Sequence, residues 1–370
     1  MLRSLVTSFT VVCLLFPAAG RAAEFVWDLA AFANTSHTGP FDTDRWSIEA
    51  TRYFSGVDDS VGPYSLAPFL DPASSVSVVL DHSRVTDQVT PIVALPPIVA
   101  PPIGGLPIGG YVAIGAGSTP IPSSLVSHDD EKSVSGRYLL PRSKWYFGGN
   151  YSKTDAYSAF AANNFDYGAA YGVFAGKYLG PRTSLEATVD MSETRSEYTT
   201  IVYGPIGFIP PGYNTGTAKA TMRRNHTSIG LTHVAGLGAL RYALSGRIAA
   251  TTGHSDLDSP ATMFQTSPFG PVISVPASHT TFGIPRLRSY SVAGELFPTT
   301  RLGVRVGYTR WDDDTPADQA YDVTTTWFVT RNVAIRFAFL RQRADNPYFF
   351  YADPEFQTTD VRTIGVIARF

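Results

Sequence analysis

The sequence predicts an all-β protein built as an up-and-down antiparallel transmembrane β-barrel. No window keeps apolar residues at i, i+3, i+4 and i+7 for three turns, so long helices are not expected. Apolar and polar residues alternate instead in many short segments, as strands between lipid and water require. After the third such segment, short and long connections alternate strictly. This order is typical of barrels with short periplasmic turns and long extracellular loops.

The alternation is clear near the end of the chain. Val333, Ile335 and Phe337 share one strand face, and Ala334 and Arg336 share the other, because side chains alternate at a period of two. Segments of this kind give a count of about fourteen strands, and counts from about 12 to 16 are compatible with the pattern. The expected strands lie near 24–33, 45–54, 74–84, 132–140, 144–152, 166–178, 183–191, 220–234, 239–250, 287–296, 301–310, 320–329, 332–341 and 360–370.

The first 23 residues read as a signal peptide. Arg3 supplies a positive start, residues 5–16 form an apolar run, and Ala22-Ala23 offers small residues for cleavage. The apolar run is too short to cross a bilayer as a helix. Residues 24–370 are then expected to form one barrel domain, and the expected location is the outer membrane of a Gram-negative cell.

Charge and cysteine content exclude several kinds of site. Removing the leader leaves 27 basic and 31 acidic residues, and no basic tract points to nucleic acid. Cys13 leaves with the leader, so no disulfide and no cysteine-based metal site is expected. The acidic cluster at residues 312–314 could hold a divalent cation loosely, but a solvated loop tip is favoured. No metal and no cofactor is therefore predicted.

The C-terminal strand carries a more specific signal. Ile364, Val366, Ala368 and Phe370 share one face, and the sequence stops on the aromatic residue. A terminal Phe on such a strand resembles the sorting signal of bacterial outer-membrane barrels. The resemblance implies contact with the outer-membrane assembly machinery, in surroundings of outer-membrane lipid and lipopolysaccharide. A homo-oligomer is left open, because no residue pattern marks an interface.

One internal segment resembles a family. It runs from Arg52-Tyr53-Phe54 through Asp58-Asp59-Ser60 and Gly62-Pro63-Tyr64 to a Phe-Leu and Ser-Ser-Val start at residues 69–76. This order is similar to that in a poorly characterised family of general bacterial porins. The match covers roughly 25 residues, and elsewhere only the general barrel pattern agrees. It implies a passive pore and supplies no catalytic residue.

Charged side chains on the inward parity are the candidate pore residues. A ring of fourteen strands is wider than barrels that side chains fill, so an aqueous lumen is expected. The basic candidates lie mostly on the eighth, ninth, eleventh and thirteenth strands, and the acidic ones mainly on the second, third and seventh. If the basic and acidic groups lie on opposite arcs of a constriction, they would set up a transverse electric field across the lumen. If they lie at unrelated heights along the barrel, they are ordinary solvated wall residues. The candidates are Arg137, Arg224, Arg241, Arg247, Arg305 and Arg336, with Glu49, Asp81, Glu186, Asp190, Glu295 and Asp322.

Three long connections, near 86–131, 192–219 and 251–287, share an unusual composition. Their central parts at 96–110, 204–213 and 267–276 are apolar and rich in Pro and Gly, and we expect none of them to form regular strands. Exposed apolar loops are unfavourable unless they pack on something. They would therefore cap the mouth of the barrel or narrow it, or else be disordered and tolerated.

The function expected from these observations is that of a porin. Small hydrophilic solutes or ions would diffuse passively through the lumen, without catalysis. A second hypothesis is a scaffold that displays the apolar loops for adhesion or envelope contacts. A third, weaker one is a lipid hydrolase, since the His226 and Ser228 spacing resembles that of outer-membrane phospholipases and lipid A deacylases. Both side chains lie on the strand face that is expected to point to water. The next strand offers no side chain that could orient the His226 imidazole.

Overall fold

The computed structural model describes residues 24–38, 41–87, 125–140, 142–158, 164–199, 217–237, 240–265, 272–312, 319–343 and 358–370. The expected signal peptide at 1–23 lies outside this part of the chain. Across these ranges, no helix is both long enough and apolar enough to cross a bilayer.

The described residues form sixteen strands, and fourteen of them close into one barrel. The small hairpin of β10 and β11 stands apart as a two-stranded sheet between β9 and β12. The all-β barrel and its strand count are thereby confirmed. The strands are β1 (Glu24–Thr38), β2 (Phe41–Asp58), β3 (Ser75–Asp87), β4 (Leu125–Leu140), β5 (Trp145–Ser158), β6 (Asn164–Gly180), β7 (Thr183–Thr199), β8 (Thr217–Leu237), β9 (Leu240–Ser259), β10 (Thr262–Gln265), β11 (Val272–Val275), β12 (Ser278–Thr299), β13 (Leu302–Asp312), β14 (Gln319–Phe328), β15 (Val333–Arg343) and β16 (Thr358–Arg369).

Each barrel strand pairs with its sequence neighbour in antiparallel register, and β1 pairs with β16 to close the ring. At the closure Asp28 lies opposite Arg369. The carbonyl oxygen of Phe370 accepts hydrogen bonds from the backbone N–H groups of Val26 (2.6 Å) and Trp27 (2.9 Å). Phe370 thus lies where the first and last strands meet. Its role as a sorting signal stays a prediction.

The connections differ between the two ends of the barrel, as the sequence predicted. At the short-turn end, β6 and β7 are joined by residues 181–182, and β12 and β13 by residues 300–301. At the long-loop end, residues 88–124 separate β3 from β4. One connection departs from the pattern at each end: β1 and β2 are joined by residues 39–40 only, whereas β2 and β3 are separated by residues 59–74 at the short-turn end.

Several strands run further toward the long-loop end than expected. β7 continues to Thr199 and β9 to Ser259, although the alternation predicted ends at 191 and 250. The added residues are polar on both faces, so the alternation fades while the backbone ladder continues. The expectation that residues 267–276 contain no strand was wrong, since β11 lies within them. Its four residues fall between Pro271 and Pro276, where no proline interrupts the hydrogen bonding.

The outer face of the barrel carries a belt of exposed apolar side chains. Val173 and Val292, for example, are 64% and 61% exposed. Aromatic side chains border the belt, with Trp145 and Trp327 toward the short-turn end and Tyr321 toward the long-loop end. A continuous apolar surface of this size requires an apolar environment, and the aromatic borders suit the two interfaces of a bilayer.

Candidate functional site: the barrel interior and its floor

The β2–β3 connection, residues 59–74, is the unusual feature of the short-turn end, and we call it the floor segment. It forms two short 3-10 turns, Asp59–Val61 and Tyr64–Leu66, followed by the single-turn helix α1 at Ala67–Leu70. Other connections at this end are two to four residues long. The floor segment therefore has enough chain to reach across the mouth of the barrel.

Local hydrogen bonds shape the floor segment where it leaves β2. The Asp58 carboxylate accepts the backbone N–H of Ser60 at 2.8 Å, capping the first turn. The Asp71 carboxylate accepts the backbone N–H of Asp58 at 2.7 Å, so the start and end of the segment are tied together. A Cβ atom at Gly62 would lie 2.5 Å from a methyl group of Leu70, so a larger residue there would require the Leu70 side chain to move.

Apolar side chains of the floor segment pack on the inner walls of the barrel. Leu66 lies in a buried cluster with Val234 of β8 and Phe297 of β12. The Tyr64 ring meets Phe328 of β14 edge-on with ring centroids 5.4 Å apart. On the other side, Phe69 meets the ring of Tyr178 of β6 at 5.8 Å. Burial of these side chains supplies the favourable free energy that holds the segment inward.

Polar contacts anchor the same segment around the rim. The Arg331 guanidinium, in the β14–β15 turn, donates to both oxygens of the buried Asp59 carboxylate. The pKa of the Arg331 side chain is raised, chiefly by its hydrogen bond to Asp59, so the guanidinium stays charged at any physiological pH. Arg137 of β4 donates to the Ala73 carbonyl at 2.9 Å.

A buried arginine completes these anchors beside the strand closure. Arg369 of β16 is 4% exposed and donates to the Tyr64 carbonyl oxygen. Its guanidinium lies over the rings of Phe25 at 4.6 Å and Phe328 at 4.9 Å, and its Nε is 3.2 Å from Asp28 Oδ2. The floor segment thus contacts walls on opposite sides of the ring and lies across the short-turn mouth.

Above the floor segment, the interior opens into two polar cavities. One has a volume of about 500 Å³, and Leu66 of the floor segment lies at its boundary. The other has a volume of about 470 Å³ and is bounded below by Ser65. Glu295 and Arg305 line both cavities, so the two spaces adjoin. The Tyr146 ring lies against the wall of the first cavity, where a side chain at Gly176 would displace it.

The strand register places all twelve predicted pore residues on the interior side of the barrel, opposite the apolar belt. Five of them line the first cavity, namely Glu186, Arg247, Glu295, Arg305 and Asp322. Asp81 and Arg336 line the second together with Glu295 and Arg305. The remaining five line neither cavity: Glu49, Arg137, Asp190, Arg224 and Arg241. That any of the twelve lines a conducting pore stays a prediction.

Opposite charges lie side by side at three places among the described residues that line the two cavities. Arg247 Nη2 is 3.6 Å from Glu186 Oε1, and Arg305 Nε is 4.0 Å from Asp322 Oδ2. Arg45, which was not among the predicted residues, donates to Asp81 at 2.6 Å. At these positions the interior intermixes the two signs instead of separating them into arcs. Arg45 shares the inward parity of Glu49 on β2, which is the signal that could have identified it.

Of the remaining chemical motifs, the His226 and Ser228 pair lies within the described strands, whereas the acidic cluster at 312–314 lies mostly outside the described residues. The His226 imidazole is hydrogen-bonded to the Thr251 hydroxyl at 3.0 Å, and no hydrogen bond joins it to Ser228 within the described ranges. Asp190 lies opposite His226 in the register, but its carboxylate accepts from Asn150 at 3.3 Å. Among residues that the structure describes, no group of three His, Cys, Asp or Glu side chains could hold a metal ion.

Comparison with known proteins finds no family, and the solved structures that it finds are only distantly similar. No family model matches the chain, and no curated protein matches it. The outer membrane protein Omp33 of Acinetobacter baumannii is 15% identical over 95% of this chain and 100% of its own, with a TM-score of 0.43. A deletion variant of the monoaromatic hydrocarbon channel TodX is 10% identical over 94% and 89% of the two chains, with a TM-score of 0.42. The ferric enterobactin receptor PfeA of Pseudomonas aeruginosa is 12% identical, covering 91% of this chain and 46% of its own, with a TM-score of 0.39.

Likeness at this level carries no argument about function, and the resemblance of residues 52–76 to general bacterial porins stays a resemblance. The fold itself rests on the strand pairing described above.

Proposed function

We propose that this protein is an outer-membrane channel through which small hydrophilic solutes or ions diffuse passively. The observation that carries the proposal is the contrast between the two faces of one closed wall. The outer face presents an apolar belt with aromatic borders, whereas the inner face presents charged and hydroxyl side chains around open cavities. This is the arrangement that a water-filled passage through a bilayer requires.

In this proposal the short-turn end faces the periplasm and the floor segment sets the narrowest part of the route. Solutes would pass the polar cavities and then meet Leu66, Phe69 and the rings packed against them. At this end a solute either passes through a narrow gap beside the floor segment or requires that segment to shift. The proposed channel uses no cofactor and performs no catalytic step. Contacts with the outer-membrane assembly machinery, with lipopolysaccharide and with a second copy of the chain stay expectations.

Conductance of the refolded protein in planar lipid bilayers tests the proposal. The parent is compared with a variant in which residues 60–73 are replaced by a Gly-Ser linker long enough to return from Asp59 to Ser74. We expect small or brief openings from the parent and a larger single-channel conductance from the variant. If both proteins insert as heat-modifiable barrels and neither conducts, the channel proposal is wrong.

The scaffold hypothesis depends on loops 88–124 and 200–216, which lie outside the described residues, so no structural observation favours it over the channel. The lipid hydrolase has less support still, because His226 and Ser228 face the interior and His226 is hydrogen-bonded to Thr251. Conductance without lipid hydrolysis, measured on the variant that lacks residues 60–73, would favour the channel over both alternatives.

A further inference from the structure

The outer face of the barrel changes character above the apolar belt at the long-loop end. On β7, the belt residues Leu185 and Val189 are followed on the same face by Glu193 and Arg195. The same change occurs on most barrel strands, because they continue beyond the apolar belt. We call these outward-facing charged side chains the collar. In the proposed membrane placement the collar lies at the level of the outer-leaflet headgroups.

Most of the collar neutralises itself. On β7–β9, Glu193 bridges Arg195 and Arg223 at 2.6 and 2.8 Å, and Lys219 is 2.9 Å from Glu197. Asp256 and Asp258 add two more carboxylates, so in this sector acidic side chains outnumber arginine and lysine. On β2–β4, the His82 imidazole pairs with Asp130 at 2.8 Å. These sectors offer no excess positive charge to a ligand.

The collar on β13–β16 differs, and we call it the arginine sector. Within the described strands, its outward-facing charged residues are Arg310, Asp312, Arg341, Arg343, Asp360 and Arg362. Among these described residues, four arginines accompany two carboxylates. Asp360 is held by Arg341 through two hydrogen bonds of 2.7 and 2.8 Å. Arg310 and Arg362 are exposed and make no ion pair with a residue in the described ranges.

Aromatic side chains lie beside these arginines in the strand ladder. Tyr308 pairs with Tyr321, which pairs in turn with Arg341, and the two tyrosine rings are 5.0 Å apart. Tyrosines at this position are typical of a membrane interface, where the ring is in lipid and the hydroxyl meets the headgroups. Arg362 also lines an open cavity of about 550 Å³, which leaves room for a bulky polar group. Two carboxylates line the same cavity, and each lies within 3 Å of a basic side chain: Asp42 is 2.8 Å from His37, and Asp360 is 2.7 Å from Arg341.

We propose that the arginine sector is a binding site for the phosphate group of an anionic lipid of the outer leaflet. Guanidinium groups bind phosphate by paired, charge-assisted hydrogen bonds, and the tyrosines and belt beneath them take the acyl chains. A free phosphate would satisfy only the arginines, whereas a lipid satisfies both parts of the site. The inference rests on the proposed placement in the outer membrane, but not on conduction.

The test measures retention of diphosphoryl lipid A by the folded, detergent-solubilised full-length protein, with native mass spectrometry as the readout. The variant carries Arg310→Gln and Arg362→Gln together. The matched control is Arg223→Gln, an exposed collar arginine in an acidic sector. We expect the double variant to bind at least about tenfold more weakly, since each basic residue near an anionic surface contributes roughly a fivefold change in affinity. The control should bind as the parent does.

Further comparisons separate the outcomes. Dephosphorylated lipid A should bind the parent weakly, and excess inorganic phosphate should compete poorly if the acyl chains contribute. Complete competition by inorganic phosphate would overturn the lipid site in favour of a free-anion site. Equal binding by the parent and the double variant, with both heat-modifiable, would also overturn it. Failure of the parent to insert into liposomes would instead contradict the membrane placement on which the inference rests.

Discussion

The two ends of this barrel differ in where their side chains find partners. At the short-turn end, residues from opposite walls meet through the floor segment, and all three buried apolar clusters of the described residues lie there. Each cluster includes or contacts a residue of that segment, namely Ala67, Leu66 or Tyr64. At the long-loop end, partners come mainly from the neighbouring strand, as in the cross-strand pair of His279 and Asp258.

One barrel thus combines two kinds of stabilisation. Its wall is stabilised by hydrogen bonds between neighbouring strands and by an apolar environment around its outer face. The short-turn end also has a small apolar core like that of a soluble protein. Burial of Leu66 and its partners contributes there in proportion to the apolar area removed from water. Surface ion pairs such as those of the collar contribute little each. Damage at the two ends should therefore have unequal consequences.

The largest effect is expected from a charge placed in the floor segment. Leu66→Asp would bury a carboxylate beside Val234 and Phe297, at a cost of about 3 kcal/mol or more, so the segment should leave its site. The measurement is single-channel conductance together with susceptibility of the segment to protease in reconstituted liposomes. Both should rise.

The matched control is Leu257→Asp, which faces the interior of β9 at the long-loop end. Its side chain is only partly buried, so conductance and protease susceptibility should stay close to the parent values. Equal effects at the two positions would show that the ends do not differ in the way described.

A smaller effect is expected at the rim anchor. Arg331→Gln leaves the buried Asp59 carboxylate without its guanidinium partner and should destabilise the floor segment by about 2 kcal/mol. Hydrogen exchange of residues 59–74 would measure this as faster exchange than in the parent. Adding Asp59→Asn to Arg331→Gln removes the uncompensated charge and should restore part of the protection. If the double variant exchanges no more slowly than the single one, the ion pair is not the anchor.

The smallest effect concerns selectivity. Replacing Arg241, Arg247 and Arg305 with Ser removes three positive charges from the interior and leaves Glu186 and Asp322 without their loose partners. The reversal potential under a salt gradient should shift toward cation selectivity, with little change in folding. Arg223→Ser on the outer face is the control and should leave the potential unchanged. An unshifted potential in the triple variant would mean that these side chains do not line the route.

Strand periodicity by itself determined much of this structure. The alternation at Val333–Phe337 and its counterparts predicted about fourteen strands, their order, and which residues face inward, because alternate residues of a strand lie on opposite faces. The lengths of the connections between strands distinguished the short-turn end of the barrel from the long-loop end. Both inferences depend only on local spacing, which a sequence displays directly.

Tertiary structure alone decided where the floor segment lies and which charges meet. The chain around Tyr64 and Phe69 shows no periodicity, and its partners Phe328 and Tyr178 are more than a hundred residues away along the chain. Parity placed Arg247 and Glu186 on the same inner wall, but their contact depends on the stagger of β7 and β9 across β8. Pairing across a barrel is a property of the closed ring, since closure fixes tilt and stagger for all strands together.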